Sequence, residues 1–184
     1  MPTDALANPL VLPILGLLVE RPRHAYAVFS ELRSRYDYLT VRNATVYTLL
    51  NTLVNAGWIE AGPSSGPDRQ EFALSEAGRR TLAGRVNRDL READLADGTA
   101  FMTALAYLGI LDPTTAADAL EARAERIRIE EQRLDRLLSS AGVTELHMIE
   151  VHFYRDRLRH DRTWLNTTIH RIQSEALAWP NRRD

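Results

Sequence analysis

Residues 40–74 read TVRNATVYTLLNTLVNAGWIEAGPSSGPDRQEFAL, and the reading of this stretch decides the fold. Val46, Leu49, Leu50, Leu53 and Val54 recur at helical spacing. Between them stand Thr45, Tyr47, Thr48, Asn51 and Asn55, a face of uncharged side chains that hydrogen-bond. Gly57 falls where a helix C′ residue is expected, because glycine enters the left-handed region without steric cost. Trp58–Ala61 reads as a short strand, and GPSSGPD (62–68) as a turn. From Arg69 to Leu74, Gln70, Phe72 and Leu74 alternate with Arg69, Glu71 and Ala73, the pattern of a second strand. Ser75 then stands as N-cap of another helix. Helix, hairpin and capped helix in this order predict a winged helix-turn-helix. Its uncharged polar helix suits the edges of bases in a DNA groove, where Asn and Thr both donate and accept.

Upstream, Asn8 and Pro9 predict the start of a helix over Leu10–Glu20, apolar nearly all round. Its run LVLPILGLLV (10–19) is shorter than the ~20 residues needed to span a bilayer. It also lacks the basic flank and cleavage site of a signal peptide. Arg21–Arg23, with Pro22 inside, is expected to break the chain. A second helix follows over His24–Tyr36, with Tyr26, Val28, Phe29 and Leu32 turned inward and Glu31, Arg33 and Arg35 outward.

After the hairpin, Ser75–Ala93 is expected to be helical, with Leu82, Val86 and Leu90 on one side. Asp94–Gly98 marks a domain boundary, giving a DNA-binding domain over 1–95 and a helical domain over 96–184. Thr99–Leu108 is a short apolar helix ended by Gly109. Asp112-Pro113 opens a long helix to Ser139 or Ser140, ~40 Å at ~1.5 Å per residue, with Gly142 as its stop. Leu120, Ile127 and Leu134 lie seven apart on it. A last helix runs from Thr144 to about Ala178, where Val151, Leu158, Leu165, Ile172 and Trp179 repeat the interval. Two heptad-striped helices joined by a short turn predict an antiparallel hairpin. The stripes are expected to bury against each other and against a further surface, for which a second copy of the chain is the partner, so the fold class is mainly α, a winged helix-turn-helix plus a helical hairpin for dimerisation.

Composition bounds the function. The 184 residues are 45% hydrophobic and 26% charged, with no cysteine, which excludes disulfides and thiolate metal sites and fits a reducing cytoplasm. Every one of the 23 basic residues is arginine. Net charge is −2, and residues 1–80 hold eight Arg against eight acidic residues. A neutral DNA-binding half points to a dimer that pools its phosphate contacts. Charge gathers only locally, at Arg21, Arg23, Arg33, Arg35 and Arg42. No phosphate-binding glycine loop, nucleophile elbow or zinc motif occurs, so no enzyme, cofactor or metal is expected. His147 and Glu150, three apart, lack a third ligand. Glu121, Arg123, Glu125 and Arg126 alternate as a solvated face.

Together these segments resemble the PadR family of bacterial transcriptional regulators. LGLLVERPRHAYAVFSELR (15–33), NATVYTLLNTLVNAGWIE (43–60) and FALSEAGRR (72–80) carry the resemblance. EVHFYRDRLRHDRTWLNTTIHRI (150–172) is similar to the helical domain of the AphA-like virulence-activator branch. His24-Ala-Tyr26 and Thr45-Val-Tyr47 match the starts of the family's second and third helices. Ala25 stands where the family often has Gly, and Arg42 where a small polar cap is common. The wing carries Arg69-Gln-Glu-Phe72 in place of a basic pair with two tyrosines.

The resemblance implies a cytoplasmic homodimer on a palindromic operator, in many cases a repressor relieved by a small molecule. Thr45, Tyr47, Thr48 and Asn51 are the candidates for the major groove, with Asn43 at the start of their helix. His24 and Tyr26 are candidates for phosphate at the start of the second helix, with half-buried core as the other reading of Tyr26. Arg42 and Arg69 are phosphate or minor-groove candidates. Leu120, Ile127, Leu134, Val151, Leu158, Leu165 and Ile172 are the dimerisation candidates. Phe101, Met102, Tyr107, Phe153, Tyr154 and Trp164 are candidate linings of an effector pocket. The alternatives are a winged-helix protein-interaction module without specific DNA binding, and another winged-helix family such as the MarR type.

Overall fold

The computed structural model describes residues 5–63, 70–140, 142 and 144–180. Residues 1–86 and 87–184 form two compact units, and the division falls inside a helix, ahead of the 95/96 boundary expected from sequence.

The first unit opens with α1 (Val11–Glu20), buried at every position from Val11 to Leu18. Asn8 Oδ1 accepts the Leu10 amide at 2.9 Å, which caps the turn ahead of the helix. Next comes a strand that the sequence reading missed, β1 (Arg23–His24), in the segment expected to be a plain break. Helix α2 (Ala25–Arg35) buries Ala25, Val28 and Leu32. Helix α3 (Asn43–Asn55) buries Val46, Leu49, Leu50 and Leu53. Each such side chain taken out of water is worth about 1.5–3 kcal/mol. Strands β2 (Ile59–Ala61) and β3 (Glu71–Leu74) follow, and the sheet order is β1-β3-β2, antiparallel throughout. Ile59 pairs with Leu74, Ala61 with Phe72, and Arg23 also with Phe72. The proposed turn at 62–68 lies for the most part outside the described residues; at its base, Gly62 N donates to Glu71 O at 2.8 Å.

Gly57 adopts φ +70°, the left-handed turn its position predicts. The chain then closes a tight junction. Ser75 Oγ donates to Gly57 O at 2.7 Å and accepts from Gly78 N at 3.0 Å, the N-cap bond of α4 (Glu76–Glu92). Ser75 N donates to Trp58 O at 3.1 Å. Gly78 is buried so closely here that an added Cβ would lie 1.9 Å from the Trp58 carbonyl oxygen and 2.8 Å from Leu74 Cδ1.

A four-member charge ring braces α1 to α2. Arg23, 5% exposed, donates to Glu20 at 2.6 Å, to Glu31 at 3.3 Å and to the Leu17 carbonyl at 3.2 Å. Arg35 closes the ring on Glu20 at 2.5 Å and Glu31 at 2.7 Å. Burial alone would raise the Glu20 carboxyl. Hydrogen bonds and charge from Arg35 and Arg23 outweigh it and hold the group below its ordinary value.

In the second unit, α5 (Thr99–Leu105) is shorter than expected, and Leu108–Ile110 forms a separate 3-10 turn that contains Gly109. Helix α6 (Pro113–Ser140) starts as its sequence predicts, with Asp112 Oδ1 accepting the Thr115 amide at 2.9 Å. Gly142 adopts φ +59°. A 3-10 turn (Glu145–Met148) leads into α7 (Ile149–Gln173), which packs along α6 as an antiparallel hairpin. Helix α7 ends short of Ala178. Ser174 N and Glu175 N bond back to His170 O and Ile172 O, and Glu175 takes φ +59°. Trp179 therefore leaves the heptad stripe, and its Nε1 donates to Leu111 O at 2.8 Å.

Ion pairs key the hairpin. Glu131 on α6 is 6% exposed and takes a forked pair of bonds from Arg162 on α7, Nε at 3.1 Å and Nη2 at 3.0 Å. Asp135 receives Arg159 at 3.2 Å farther along the same seam.

Two outcomes test this packing. Gly78→Ala lowers stability by at least about 2 kcal/mol in chemical denaturation, because backbone blocks the new methyl. Gly84→Ala, in the same helix with nothing within 4 Å of an added Cβ, raises it by about 0.5–1 kcal/mol. The depressed Glu20 pKa makes its contribution to stability present at neutral pH and lost as pH falls through the folded value. Glu20→Gln therefore flattens the decline in stability measured from about pH 5 to pH 3.

Candidate nucleic-acid interface

Helix α3 presents one uncharged row to solvent. Ala44, Thr48, Asn51 and Asn55 are all exposed, at spacings of four, three and four residues. Asn43 is exposed at the start of the helix, and Arg42, also exposed, stands at its N-cap position without capping it. Thr45 and Tyr47 flank the row and are half-buried. The opposite face holds the four apolar residues of the core, so burial fixes which side of α3 points outward.

The hydroxyls on this helix are partly committed. Thr48 Oγ1 donates to Ala44 O at 2.9 Å, and Thr52 Oγ1 donates to Thr48 O at 2.9 Å. Thr48 is left with acceptor lone pairs and a methyl group facing out. Asn51 keeps both its donors and its acceptor, the set that reads adenine in a bidentate contact.

Tyr26 is 67% exposed, so half-buried core does not describe it. It sits in the first turn of α2 against Phe29, with ring centroids 6.2 Å apart, and Arg33 lies over Phe29 at 5.6 Å. His24 stands at the N-cap position of α2, at the start of the second helix, and also belongs to β1. Its Nε2 faces Glu71 Oε1 at 3.4 Å across the β1–β3 pair, and its Nδ1 is buried without a hydrogen-bond partner. The wing carboxylate is thereby turned to a neighbouring strand. Arg69 lies outside the described residues.

The local excess of positive charge is smaller than the sequence implies. Arg23 is buried and both Arg23 and Arg35 are paired with Glu20 and Glu31. Arg21, Arg33 and Arg42 remain exposed, joined by Arg79 and Arg80 in the first turns of α4. Arg79 and Arg80 were not singled out from sequence; their position just after the N-cap of Ser75 was the signal available.

The dimerisation candidates are placed mostly inside the single chain. Leu120, Ile127, Leu134, Leu158, Leu165 and Ile172 are buried in the protomer itself, with Val151 partly exposed. The heptad stripes face each other across the hairpin. The apolar residues left exposed in this unit are different ones, Ile129, Leu137, Leu146, Ile149 and Phe153 among them.

Of the effector-pocket candidates, Phe101, Met102 and Trp164 line a cavity of about 360 Å³. Tyr107 and Tyr154 are half-buried and outside its lining, and Phe153 is 72% exposed. Leu95, Leu105, Arg123, Arg157, His160 and Asp161, which sequence reasoning did not include, complete much of the wall. Among the described residues, no three His, Cys, Asp or Glu side chains gather as a metal site, and no helix is long and apolar enough to cross a membrane.

Comparison with solved structures finds the following matches. Bacillus subtilis PadR in complex with operator DNA is 18% identical, over 90% of this chain and 99% of that one, with a TM-score of 0.40. Bacillus subtilis PadR in complex with p-coumaric acid is 17% identical, over 90% and 99%, with a TM-score of 0.39. The PadR-like transcriptional regulator BC1756 from Bacillus cereus is 14% identical, over 90% and 98%, with a TM-score of 0.39. No curated protein matches the sequence. The sequence of residues 14–84, from α1 through most of α4, matches the transcriptional regulator PadR-like family.

Proposed function

We propose that the protein is a cytoplasmic, homodimeric transcriptional repressor that binds a palindromic operator through α3. The DNA-binding domain covers residues 1–95, and the helical domain over 96–184 supplies the dimer contact and an effector site. One observation carries the reading: α3 turns an uncharged row of Thr48, Asn51 and Asn55 outward from a PadR-like domain, with Arg42 at its N-terminal end. Such a row makes base-edge contacts, while Arg42, Tyr26 and the exposed arginines of α2 and α4 hold phosphates. Two copies place two recognition helices on half-sites about one helical turn, ~34 Å, apart. The exposed Ile129, Leu137, Ile149 and Phe153 on α6 and α7 are the surface that a second copy covers. Nothing in the site performs covalent chemistry in this scheme.

A second reading, a protein-interaction module, draws on the internal pairing of Arg23 and Arg35, which removes two arginines from the charge available to phosphates.

Gel-shift titration against DNA upstream of the protein's own gene separates the two. Asn51→Ala weakens specific binding by about 1–3 kcal/mol and relaxes the preference at one base position. Arg42→Ala weakens specific and random DNA alike and lowers the salt slope by about one unit. Equal affinity for the upstream DNA and for random sequence would sink the regulator reading. In light scattering, the Ile149→Glu/Phe153→Glu double variant runs as a monomer; a dimer that survives both charges rules out this face.

A further inference from the structure

The outward row of α3 carries no charge. Its exposed positions within the helix are Asn43, Ala44, Thr48, Asn51 and Asn55. In the major groove, guanine is read by arginine or lysine on O6 and N7, and cytosine by a carboxylate on its amino group. The row holds neither kind of side chain. Arg42 stands ahead of the first turn, at the N-cap position. What the row does hold is amide and methyl, the groups that read adenine and thymine.

Thr48 lies in the middle of the row, and the set of its branched side chain decides what it can offer a base. Oγ1 donates its one hydrogen to Ala44 O at 2.9 Å, back along its own helix. A β-branched side chain has few staggered positions in a helix. With the hydroxyl turned to the carbonyl one turn back, the methyl is held away from that carbonyl. The Ala44 methyl stands one turn ahead on the same exposed line. Thymine is the base that puts a methyl group, on C5, into the major groove. Donation from the Thr48 hydroxyl to a base would break the bond to Ala44 O. Only an accepting bond from a base amino group competes with the methyl contact.

We propose that Thr48 is a specificity-determining residue that reads thymine through its methyl group, packed on the C5 methyl, while its hydroxyl serves the helix alone. The proposal rests on α3 being the operator-binding helix. Asn51, three residues on, offers its amide to an adenine. Thymine and adenine are therefore the bases that the row fits.

The full chain is used to select a binding site from a pool of random-sequence duplexes. Each thymine of the selected site is then replaced, one at a time, by uracil, which keeps the pairing and removes the methyl. Gel shift gives the affinity of the wild type, Thr48→Val and Thr48→Ser for each duplex. Every value is divided by that for a random duplex, so a smaller share of folded protein cancels. At one thymine, uracil weakens the wild type about fourfold, the worth of one methyl-sized group taken out of water. Thr48→Val, which keeps a methyl and loses the hydroxyl, binds the thymine site as the wild type does and keeps its sensitivity to uracil. Thr48→Ser, which keeps the hydroxyl and loses the methyl, binds the thymine site about fourfold more weakly and no longer distinguishes thymine from uracil there. The reverse pattern, with Thr48→Ser like the wild type and Thr48→Val weakened, gives the contact to the hydroxyl and overturns the proposal. So does a wild type indifferent to uracil at every position. Both of these results leave the regulator reading standing. If selection enriches no site over random sequence, that reading falls and the proposal falls with it.

Discussion

The geometry of the winged helix depends on the junction where Ser75 and Gly78 meet Gly57 and Trp58. Four elements come together there within a few residues: the end of α3, the start of β2, the end of β3 and the first turn of α4. Ser75 bonds to both Gly57 O and Gly78 N through one hydroxyl, and to Trp58 O through its amide. The absence of a side chain at Gly78 lets α4 approach the backbone of Trp58 closely enough for all three bonds to form. The exit from α3 is thereby fixed against the hairpin. The direction in which α3 shows its polar row follows from that exit and from the four apolar side chains beneath it.

Much of this was legible in the sequence. The apolar period of α3, Gly57 beyond its end and Ser75 ahead of α4 are local signals, each with a single physical meaning. The start of α6 at Asp112-Pro113 is of the same kind. What escaped was set by partners distant in the chain. Strand β1 is two residues long and exists only by pairing with β3. Arg23 looks like surface charge until the fold brings Glu20 and Glu31 to it. The heptad period of α7 continues to Trp179, but no glycine marks the stop, and the helix ends in a left-handed Glu175.

The site was legible to a similar depth. Periodicity separated the buried from the exposed face of α3 correctly, because one helix face must enter the core. It could not show that the Thr48 hydroxyl is directed to its own helix, or that His24 turns to Glu71. In the hairpin, heptad spacing set the two stripes against each other and against a further surface, without dividing the residues between the two. The structure answers that α6 and α7 meet each other, so the stripes name the hairpin's own core. The cavity in the second unit combines residues from α5, α6, α7 and the segment ahead of α5, a set no single period could assemble.

The forked pair of Glu131 and Arg162 limits how the hairpin can move. Sliding α7 past α6 by one turn, ~5.4 Å, would break the two bonds from Arg162 to Glu131 and unseat Arg159 from Asp135. Glu131 is nearly buried while Arg162 stays partly in water, so the fork favours the observed alignment through its two directed bonds rather than through a fully buried charge pair. The hairpin therefore carries its register in charge as well as in its apolar seam, with Glu131 and Asp135 on one helix matched to Arg162 and Arg159 on the other.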